Sequence, residues 1–429
     1  MTSNTNIPPA NEHSRSGGVP PPLLPESKPK SGAMRLLLAI LLTLFLGLFL
    51  ADAIVSLADD SLILLFNLHL FAGFRAMVCL FAMLMAIVVY GLMGLTPMIP
   101  KRWFLPLTLF YPASQMAVVP FLIYFLGRLH QVSWGFSCVQ IILGLGILYW
   151  IQGGFKSRWP LVARDQLAGR RFSWWNLSVF GLVNVFGLLP AIIIYLFLCT
   201  AVAVDHFSDG FMALRPGGLT VQVRRYVRND GKTIQLFPMS HVADAGFYQK
   251  IAQTFPTNSI ILMEGVTDKK NLLTNGISYK RMAKFLGLTE QKVTFGPGRG
   301  KMVRADVDVD QFSTNTIDFL NLVMLFHAQG VTAGNVLMLM QYSPPPHFEE
   351  QFYDDLLRKR NQHLMEGIQS HLSQTANIMV PWGVAHMPGI SQGIQASGFH
   401  LAETREYTVI RFGFSRLARW IGPVSRVAE

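Results

Sequence analysis

Two histidines and a glutamate in the second half of the chain follow apolar runs that are typical of buried β-strands. They are His241, Glu264 and His386. His386 lies within residues 381–390, where glycines flank it and a helix-compatible segment follows. A strand, a turn and a helix in that order place a side chain at the carboxyl end of a strand, where α/β folds gather their chemistry. The sequence therefore predicts one site built from three strand ends.

Imidazole nitrogens and carboxylate oxygens are groups by which proteins hold a divalent metal ion while leaving one position for water. His241, Glu264 and His386 supply those groups, and Glu264 is either a ligand or the general base that takes a proton from bound water. Mn, Co and Zn all suit such a set. The sequence spacing is too wide for a local motif such as HExxH, so the prediction depends on the three strands meeting. A surface or helix-capping role is the alternative for each residue.

Two further carboxylates, Asp306 and Asp308, belong to a strand predicted at 303–309. They could bind a second metal ion, or hold Arg360 of a long charged helix predicted at 348–373. A solvated strand end is the simpler interpretation, and we expect it for both carboxylates.

The elements that position these residues divide the chain into three parts. Hydrophobic residues make up 51% of the 429 residues and charged residues only 14%, against roughly 25% charged residues in soluble proteins. We predict a disordered Pro- and Ser-rich tail at 1–32, a membrane block at 33–204 and a globular domain at 205–429. Many of the basic residues behind the net charge of +11 border apolar spans. We therefore expect a lipid bilayer, and no nucleic acid, as partner.

Five apolar stretches have about the 20 residues that a helix needs to cross a bilayer. They cover residues 36–57, 76–95, 104–126, 134–151 and 177–204. The stretch 61–74 carries Asn67 and His69 and is predicted as an interfacial or re-entrant helix. No charged residue stands at the centre of a predicted span, and Asp52 lies near the outer end of the first. Because transporters commonly bury charges in their spans, the membrane block is interpreted chiefly as an anchor.

Lys and Arg alternate between the loops in the pattern that sets membrane orientation. They are concentrated before the first span, in the second loop and in the fourth loop. The intervening loops hold Arg75 and Arg128, while Asp59 and Asp60 follow the first span. We therefore expect a cytoplasmic N-terminus and a C-terminal domain outside the cytoplasm, either periplasmic or extracellular.

Helix and strand patterns alternate after residue 205, which is typical of an α/β domain with a mixed sheet and flanking helices. Two strand patterns, at 218–228 and 232–237, enclose Asn229-Asp230-Gly231, a strong hairpin signal. Other helices are predicted at 244–255, 279–286 and 314–329, terminal strands at 398–412, and a short basic amphipathic segment at 415–421.

Three segments resemble motifs of the TraB/PrgY–GumN–TIKI family. They are residues 235–242, 261–264 and 383–389. That family has a first G-T-x-H motif, a glutamate after the next strand and a late G-x-x-H-L-P-G motif. Arg360-Asn361 is similar to the R-N position of the family, and the resemblance covers roughly residues 219–412.

The resemblance implies a TraB/TIKI-like domain with metallopeptidase-like hydrolase activity and with His241, Glu264 and His386 at its metal site. Arg360 would stabilise a developing oxyanion or bind a substrate carboxylate. For another branch of the family, the resemblance implies shutdown of a peptide pheromone, with sequestration in place of cleavage. The chain departs from the first motif, because Pro238-Met239-Ser240 precede His241 without the Gly and Thr of the family.

The leading hypothesis is therefore a membrane-anchored, extracytoplasmic metal-dependent peptidase or related hydrolase with a His/Glu/His site. The alternative is a non-catalytic peptide-binding or regulatory membrane protein of the pheromone-shutdown type. It is favoured by Pro238, which cannot match the close backbone approach that Gly allows. A transporter or channel ranks third, because the predicted spans lack central charges. The sequence pattern does not select a substrate or an oligomeric state.

Overall fold

The computed structural model of the protein describes residues 31–68, 70–154, 158–167, 169–274, 279–330, 332–342 and 344–413. The chain forms two compact units, Met1–Gly187 and Leu188–Glu429. Residues 1–30 of the predicted tail, and the amphipathic segment predicted at 415–421, lie outside the described residues.

Five helices within the described residues are long and apolar enough to cross a membrane, which indicates an integral membrane protein. Four of them are α1 (Ser31–Phe66), α2 (Ala72–Leu95), α3 (Lys101–Tyr124) and α4 (Leu129–Gln152). The fifth candidate span, Trp174–Phe207, consists of α5 (Trp174–Val183), a π-helical turn (Asn184–Leu188) and α6 (Leu189–Phe207). The prediction of five transmembrane helices agrees with these elements.

Helix α1 packs against α2 and α4 in the first unit. Its side chains Leu42, Phe45, Leu46 and Phe49 have no exposed surface. They stand at positions i, i+3, i+4 and i+7, so they form one continuous stripe along the helix. This stripe is the centre of the hydrophobic core of the unit.

The predictions for the end of the first span and for the stretch 61–74 are wrong. Helix α1 continues to Phe66 instead of ending near residue 57, so 61–66 belong to α1 and 72–74 to α2. The helix continues because Asp59 and Asp60 are buried and paired with Arg75 of α2 instead of facing water. It ends at Asn67, whose φ of 55° is the left-handed conformation that Asn tolerates after a helix.

A seven-stranded mixed sheet forms the centre of the second unit, with the order β1-β2-β3-β8-β5-β7 and with β9 paired to β2. The strands are β1 (Met212–Arg215), β2 (Gly218–Val227), β3 (Thr233–Met239), β5 (Ser259–Met263), β7 (Lys301–Arg304), β8 (Asn377–Gly383) and β9 (His400–Arg411). Two short strands, β4 (Val242–Ala243) and β6 (Thr289–Glu290), pair separately. Strands β3, β8, β5 and β7 are parallel to one another, whereas β2 pairs antiparallel with β1, β3 and β9.

Eight α-helices follow β1 among the described residues of this unit. They are α7 (Ala245–Gln253), α8 (Lys280–Leu286), α9 (Gln291–Thr294), α10 (Thr314–Gln329), α11 (Ala333–Gln341), α12 (Phe348–Tyr353), α13 (Lys359–His371) and α14 (Met387–Ala396). Helices α13 and α14 pack on one face of the sheet and α7 on the other. Val380 packs in one core with Leu364 of α13 and Ile390 of α14. The preceding residue of β8, Met379, packs in a second core with Tyr248 of α7. This alternation buries the central strands on both faces and agrees with the predicted α/β class.

Two element predictions differ in detail from the structure. Strand β7 ends at Arg304 instead of continuing to residue 309, because the Asp306 carboxylate accepts hydrogen bonds from backbone N–H groups and the chain leaves the ladder there. The long helix predicted at 348–373 contains a π-helical turn, Asp354–Arg358, between α12 and α13. The hairpin of β2 and β3 follows the prediction, and β9 lies within the terminal stretch predicted at 398–412. Its pairing with β2 was not predicted.

Candidate functional site

The carboxyl ends of four neighbouring parallel strands each precede a titratable side chain. His241 follows β3, His386 follows β8, Glu264 follows β5 and Asp306 follows β7. Parallel strands bring their carboxyl ends to one edge of a sheet, the usual position of a site in α/β folds. The order of the strands places His386 and Glu264 on neighbouring central strands, with the other two residues on the outer pair.

An ion-pair cluster forms at this edge around Arg360 of α13. Its Nη2 lies 2.6 Å from Asp306 Oδ2 and 2.9 Å from Glu264 Oε1. Its Nε donates to Asp306 Oδ1 at 2.9 Å, so the guanidinium binds this carboxylate in a bidentate manner. The side chains of Arg360, Glu264 and Asp306 are only 12%, 16% and 0% exposed.

Backbone N–H groups bind the same two carboxylates. Gly265 N–H donates to Asp306 Oδ2 and Val307 N–H to Asp306 Oδ1, both at 2.9 Å. Gly383 N–H donates to Glu264 Oε2 at 2.5 Å. A Cβ atom at residue 383 would lie 3.3 Å from that oxygen, so glycine permits the close approach. Each carboxylate oxygen therefore has at least one donor.

The cluster has an excess of negative charge. Burial alone would lower the pKa of Arg360, but the hydrogen bonds and charge of Asp306, together with the charge of Glu264, outweigh burial and raise it. Two carboxylates and one guanidinium give a net charge of −1 when all three are ionised. A buried cluster of this kind favours the approach of a cation.

His386 is buried in its neutral form beside the cluster. Its Nδ1 lies 2.7 Å from Oδ1 of Asn361 on α13, and its ring packs edge-on against Trp382. With the Asn361 oxygen as acceptor, Nδ1 carries the proton and the lone pair lies on Nε2. Burial, followed by the positive charge of Arg360, lowers the pKa of His386 to about 4.

The free nitrogen of His386 faces Glu264. Nε2 lies 3.5 Å from Glu264 Oε1, which is too long for a strong hydrogen bond. A neutral imidazole nitrogen with a lone pair and an ionised carboxylate oxygen are both acceptors. Two acceptors at this distance are stabilised by a proton donor or a cation that interacts with both.

His241 stands apart from this pair. It is exposed, and its ring stacks on Tyr279 with the centroids 4.7 Å apart and the planes inclined by 12°. In the part of the chain that the structure describes, no three His, Cys, Asp or Glu side chains are close enough to hold a metal ion together. Of the three predicted ligands, Glu264 and His386 are adjacent, and His241 is in the lining of the same pocket.

The pocket above the pair has a volume of about 780 Å³. Polar lining comes from Ser240, His241, Glu264, Glu349, Arg360 and His386. A wall from α10, α12 and the π-helical turn is apolar, and we call it the aromatic wall: Phe319, Phe348, Phe352, Leu356 and Leu357. The Phe319 ring lies 5.3 Å, between centroids, from the rings of Phe348 and Phe352. A pocket of this size and lining suits a ligand that has both an apolar and a polar part.

The prediction that Asp306 and Asp308 lie at a solvated strand end is wrong. Asp306 is buried under Arg360, which is one of the roles that the sequence left open for it. Asp308 is also buried, and it accepts a hydrogen bond of 2.5 Å from the Thr267 hydroxyl. Asp306 follows β7, a short strand with the sequence Lys-Met-Val-Arg that pairs beside the strand of Glu264. That neighbour relation is a tertiary fact that the sequence alone does not contain.

Comparisons of the chain with protein-family models, with curated proteins and with solved structures found no match. The resemblance to the TraB/PrgY–GumN–TIKI family therefore stays a prediction that depends on the three motifs. The functional argument depends on the geometry of the strand ends and of the pocket.

Proposed function

We propose that the α/β domain is a metal-dependent hydrolase of the peptidase type, held at the membrane by the five spans. The observation that supports this most is the facing pair of His386 Nε2 and Glu264 Oε1, 3.5 Å apart in the lining of the pocket. A neutral imidazole and a carboxylate at such an edge are groups that hydrolases use to bind and activate water.

The donor set of this pair suits a divalent ion such as Mn, Co or Zn. One imidazole nitrogen and one carboxylate oxygen are ligands that these ions accept. Among the described residues, no hydrogen-bond donor occupies His386 Nε2, so that nitrogen can bind an ion directly. His241 is the proposed third ligand, and joining the pair requires it to leave its stacking position on Tyr279. When bound, such an ion supplies a Lewis acid and lowers the pKa of bound water.

The surrounding residues orient the pair and control its protons. Asn361 keeps the proton of His386 on Nδ1, so that Nε2 presents its lone pair to the pocket. Glu264 Oε1 is the proposed acceptor for a proton of the attacking water, or a ligand. Because Arg360 is already bonded to two carboxylates, we assign it a positioning role towards Glu264 instead of direct binding of a substrate carboxylate.

The aromatic wall supports a peptide substrate with a bulky apolar side chain. Phe348 and Phe352 pack against each other and line the same pocket as the polar strand ends. Burial of an apolar side chain there would hold the peptide while its backbone carbonyl faces the pair. Substitution of Phe352 by Ala is expected to raise KM more than it lowers kcat.

The test is metal content and peptide cleavage of the full-length protein in detergent. Wild-type protein is expected to hold stoichiometric Mn, Co or Zn and to cleave peptides with apolar residues. His386→Ala should lose the metal and lower kcat/KM by about 100-fold or more, the range for loss of a positioned acid–base group. His400→Ala is the matched control, because His400 is exposed at the start of β9 and does not line the pocket.

Cleavage that survives in His386→Ala would refute this assignment, provided that the variant unfolds at the wild-type temperature. Failure to bind metal in both wild type and variant, with both folded, would favour the second candidate function.

That second candidate is capture of a peptide without cleavage. It is favoured by the fact that both Glu264 oxygens are already bonded, Oε1 by Arg360 and Oε2 by Gly383 N–H. Peptide binding would then persist in chelator and in His386→Ala, and would weaken in Phe352→Ala. Isothermal titration of the full-length protein with apolar peptides separates the two cases.

We also propose that the α/β domain lies outside the cytoplasm, as the alternation of basic loops predicts. The native cysteines Cys79, Cys138 and Cys199 all lie in helices of the candidate spans. After their replacement by Ala, a Ser373→Cys variant offers an exposed thiol on the domain. An impermeant maleimide is expected to label it in intact cells with the outer envelope opened, and labelling only after lysis would contradict the orientation.

A further inference from the structure

A row of polar residues follows one face of α1 inside the membrane block. Asp52, Ser56, Asp59 and Asp60 stand at i, i+4, i+7 and i+8, so they share that face. They are 3%, 8%, 2% and 0% exposed. We call these four residues the polar seam. Because α1 continues beyond the predicted span, the carboxylates lie within the helix and not in a loop after it.

One end of the seam is paired with α2 and α4. Arg75 Nη1 of α2 lies 3.2 Å from Asp59 Oδ2 and 2.8 Å from Asp60 Oδ1. Its Nη2 donates to the Ser133 hydroxyl of α4 at 2.7 Å. His130 Nδ1, also on α4, lies 3.2 Å from Asp60 Oδ1, and its side chain is 49% exposed.

The other end of the seam is buried at Asp52. Asp52 Oδ2 accepts hydrogen bonds from Gln140 of α4 at 2.9 Å and from Tyr111 of α3 at 3.3 Å. Cys79 of α2 also faces this carboxyl group. Beyond it, Phe49 packs edge-on with the rings of Phe45, Phe110 and Tyr111 and has no exposed surface. Among the described partners of the seam, Arg75 and His130 are the exposed ones, at 24% and 49%.

Three oxygens of the seam lack a hydrogen-bond partner among the described residues: Asp52 Oδ1, Asp59 Oδ1 and Asp60 Oδ2. The carboxylates also outnumber their counter-charges. Three carboxylates against the guanidinium of Arg75 leave two negative charges when His130 is neutral, and one when His130 is protonated. Ionised side chains without partners are costly within a span, and a neutral carboxylic acid leaves much less charge unpaired.

We propose that the polar seam is a proton-binding site of the membrane block. Two protons, shared between Asp52 and the Asp59–Asp60 pair, cancel the excess charge while Arg75 keeps one carboxylate ionised. The unpartnered oxygens are the positions at which these protons are taken up. A proton fits better than a metal ion, because no three His, Cys, Asp or Glu side chains within the described ranges could hold a metal together.

The buried end at Asp52 makes this site a proton well and not a channel. Protons enter and leave where Arg75 is 24% and His130 49% exposed. The packed rings around Phe49 block passage further along the bundle. This assignment revises the interpretation of the block as an anchor alone and does not depend on the proposed hydrolase.

The test is infrared difference spectroscopy of the full-length protein in lipid nanodiscs, titrated between pH 5 and pH 9. The C=O stretch of protonated carboxyl groups is expected at neutral pH, and its intensity should fall in Asp52→Asn and in Asp59→Asn. Asp165→Asn is the matched control, since Asp165 is exposed in a loop of the same unit and its loss should leave this signal unchanged. No protonated carboxyl signal at neutral pH, or a signal unaffected by the seam substitutions, would overturn the proposal.

A melting experiment keeps the test valid if a substitution perturbs folding. Asn resembles a neutral carboxylic acid in shape and charge, so Asp52→Asn should melt within a few degrees of the wild type at pH 7. A large loss of melting temperature, or a wild-type melting temperature that rises with Na⁺ at constant ionic strength, would show that the carboxylates are ionised and would overturn the proposal.

Discussion

In each unit of the protein an arginine binds two carboxylates, yet the two clusters differ in the other hydrogen bonds that the carboxylates accept. Arg360 of the α/β domain binds Asp306 and Glu264, and every oxygen of that pair has a donor. Arg75 of the membrane block binds two neighbouring aspartates, and one oxygen of each has no partner among the described residues.

The difference comes from the backbone around each cluster. At the ends of parallel strands the ladder stops, so the N–H groups of Gly265, Val307 and Gly383 are free to donate to carboxylates. Inside a helix the N–H groups are already bound to the preceding turn, and a carboxylate there depends on side chains alone. Strand ends can therefore stabilise an ionised site, whereas a helical bundle is better suited to groups that gain and lose protons.

Removal of the arginine is the strongest way to test this contrast. Arg360→Met leaves Asp306, which is 0% exposed, charged and without its main partner. We expect a loss of about 3–5 kcal/mol in the free energy of unfolding, the usual effect of breaking a buried pair. Denaturant unfolding of the full-length protein in detergent, followed by tryptophan fluorescence, to which buried Trp382 contributes, measures it.

Arg358→Met is the matched control, because Arg358 is 61% exposed, pairs with Asp354 on the helix surface and lies 6.0 Å from the centre of the Tyr353 ring. Its effect should stay below about 0.5 kcal/mol. Arg75→Met should cost less than Arg360→Met, and less at pH 5 than at pH 8, because protons can replace the lost charge. If Arg75→Met and Arg360→Met lowered the free energy of unfolding equally and independently of pH, the contrast between the two clusters would be wrong.

Acidification provides a second test, directed at His386. Its pKa is about 4 in the folded protein against 6.5 for an ordinary histidine, so the unfolded chain binds more protons between these values. Stability should be fully retained above pH 6.5 and fall by up to about 1.4 kcal/mol for each unit of acidification down to pH 4. The slope of unfolding free energy against pH, compared between wild type and His386→Gln, measures this contribution. Identical slopes in this window would show that His386 is not buried in neutral form.

A smaller effect is expected from Gly389→Ala. A Cβ atom at this residue would lie 2.6 Å from Nδ2 of Asn361, so the asparagine must shift and its bond to His386 weakens. If the proposed function is right, metal affinity and cleavage should fall by about 10- to 100-fold, as for other residues that orient a ligand. Gly246→Ala in α7 is the control, since a Cβ atom there meets nothing within 4 Å. Unchanged activity in Gly389→Ala would remove Asn361 from the mechanism.

Local patterns explain what the sequence predicted about the site. The apolar runs before Glu264 and His386 are short, continuous and bounded by turn residues, so they identify strands and place both side chains at strand ends. The parallel pairing of these strands then brings the two residues together. Such information is contained within a few residues of each motif.

Partnerships between distant segments explain what the sequence did not predict. From local sequence alone, Asp306 is predicted to be exposed. In the fold it is covered by Arg360, which lies 54 positions later in the chain. Asp59 and Asp60 are likewise predicted to follow the first span. They lie inside α1 because Arg75 of the next helix neutralises part of their charge. In both cases a charge looks exposed because its counter-charge lies on another element, so local composition gives the wrong burial.

The π-helical turn at Asp354–Arg358 sets the rotational phase between two halves of one long helix. In a regular α-helix of 3.6 residues per turn, Phe352 and Arg360 would point about 80° apart. The wider π turn removes much of this difference, and both side chains line the same pocket. If the five residues of the turn were rewound as a regular α-helix with none removed, Arg360 would rotate by about 80° away from the wall that contains Phe352. The winding of this short stretch therefore decides whether Phe352 and Arg360 line the same pocket.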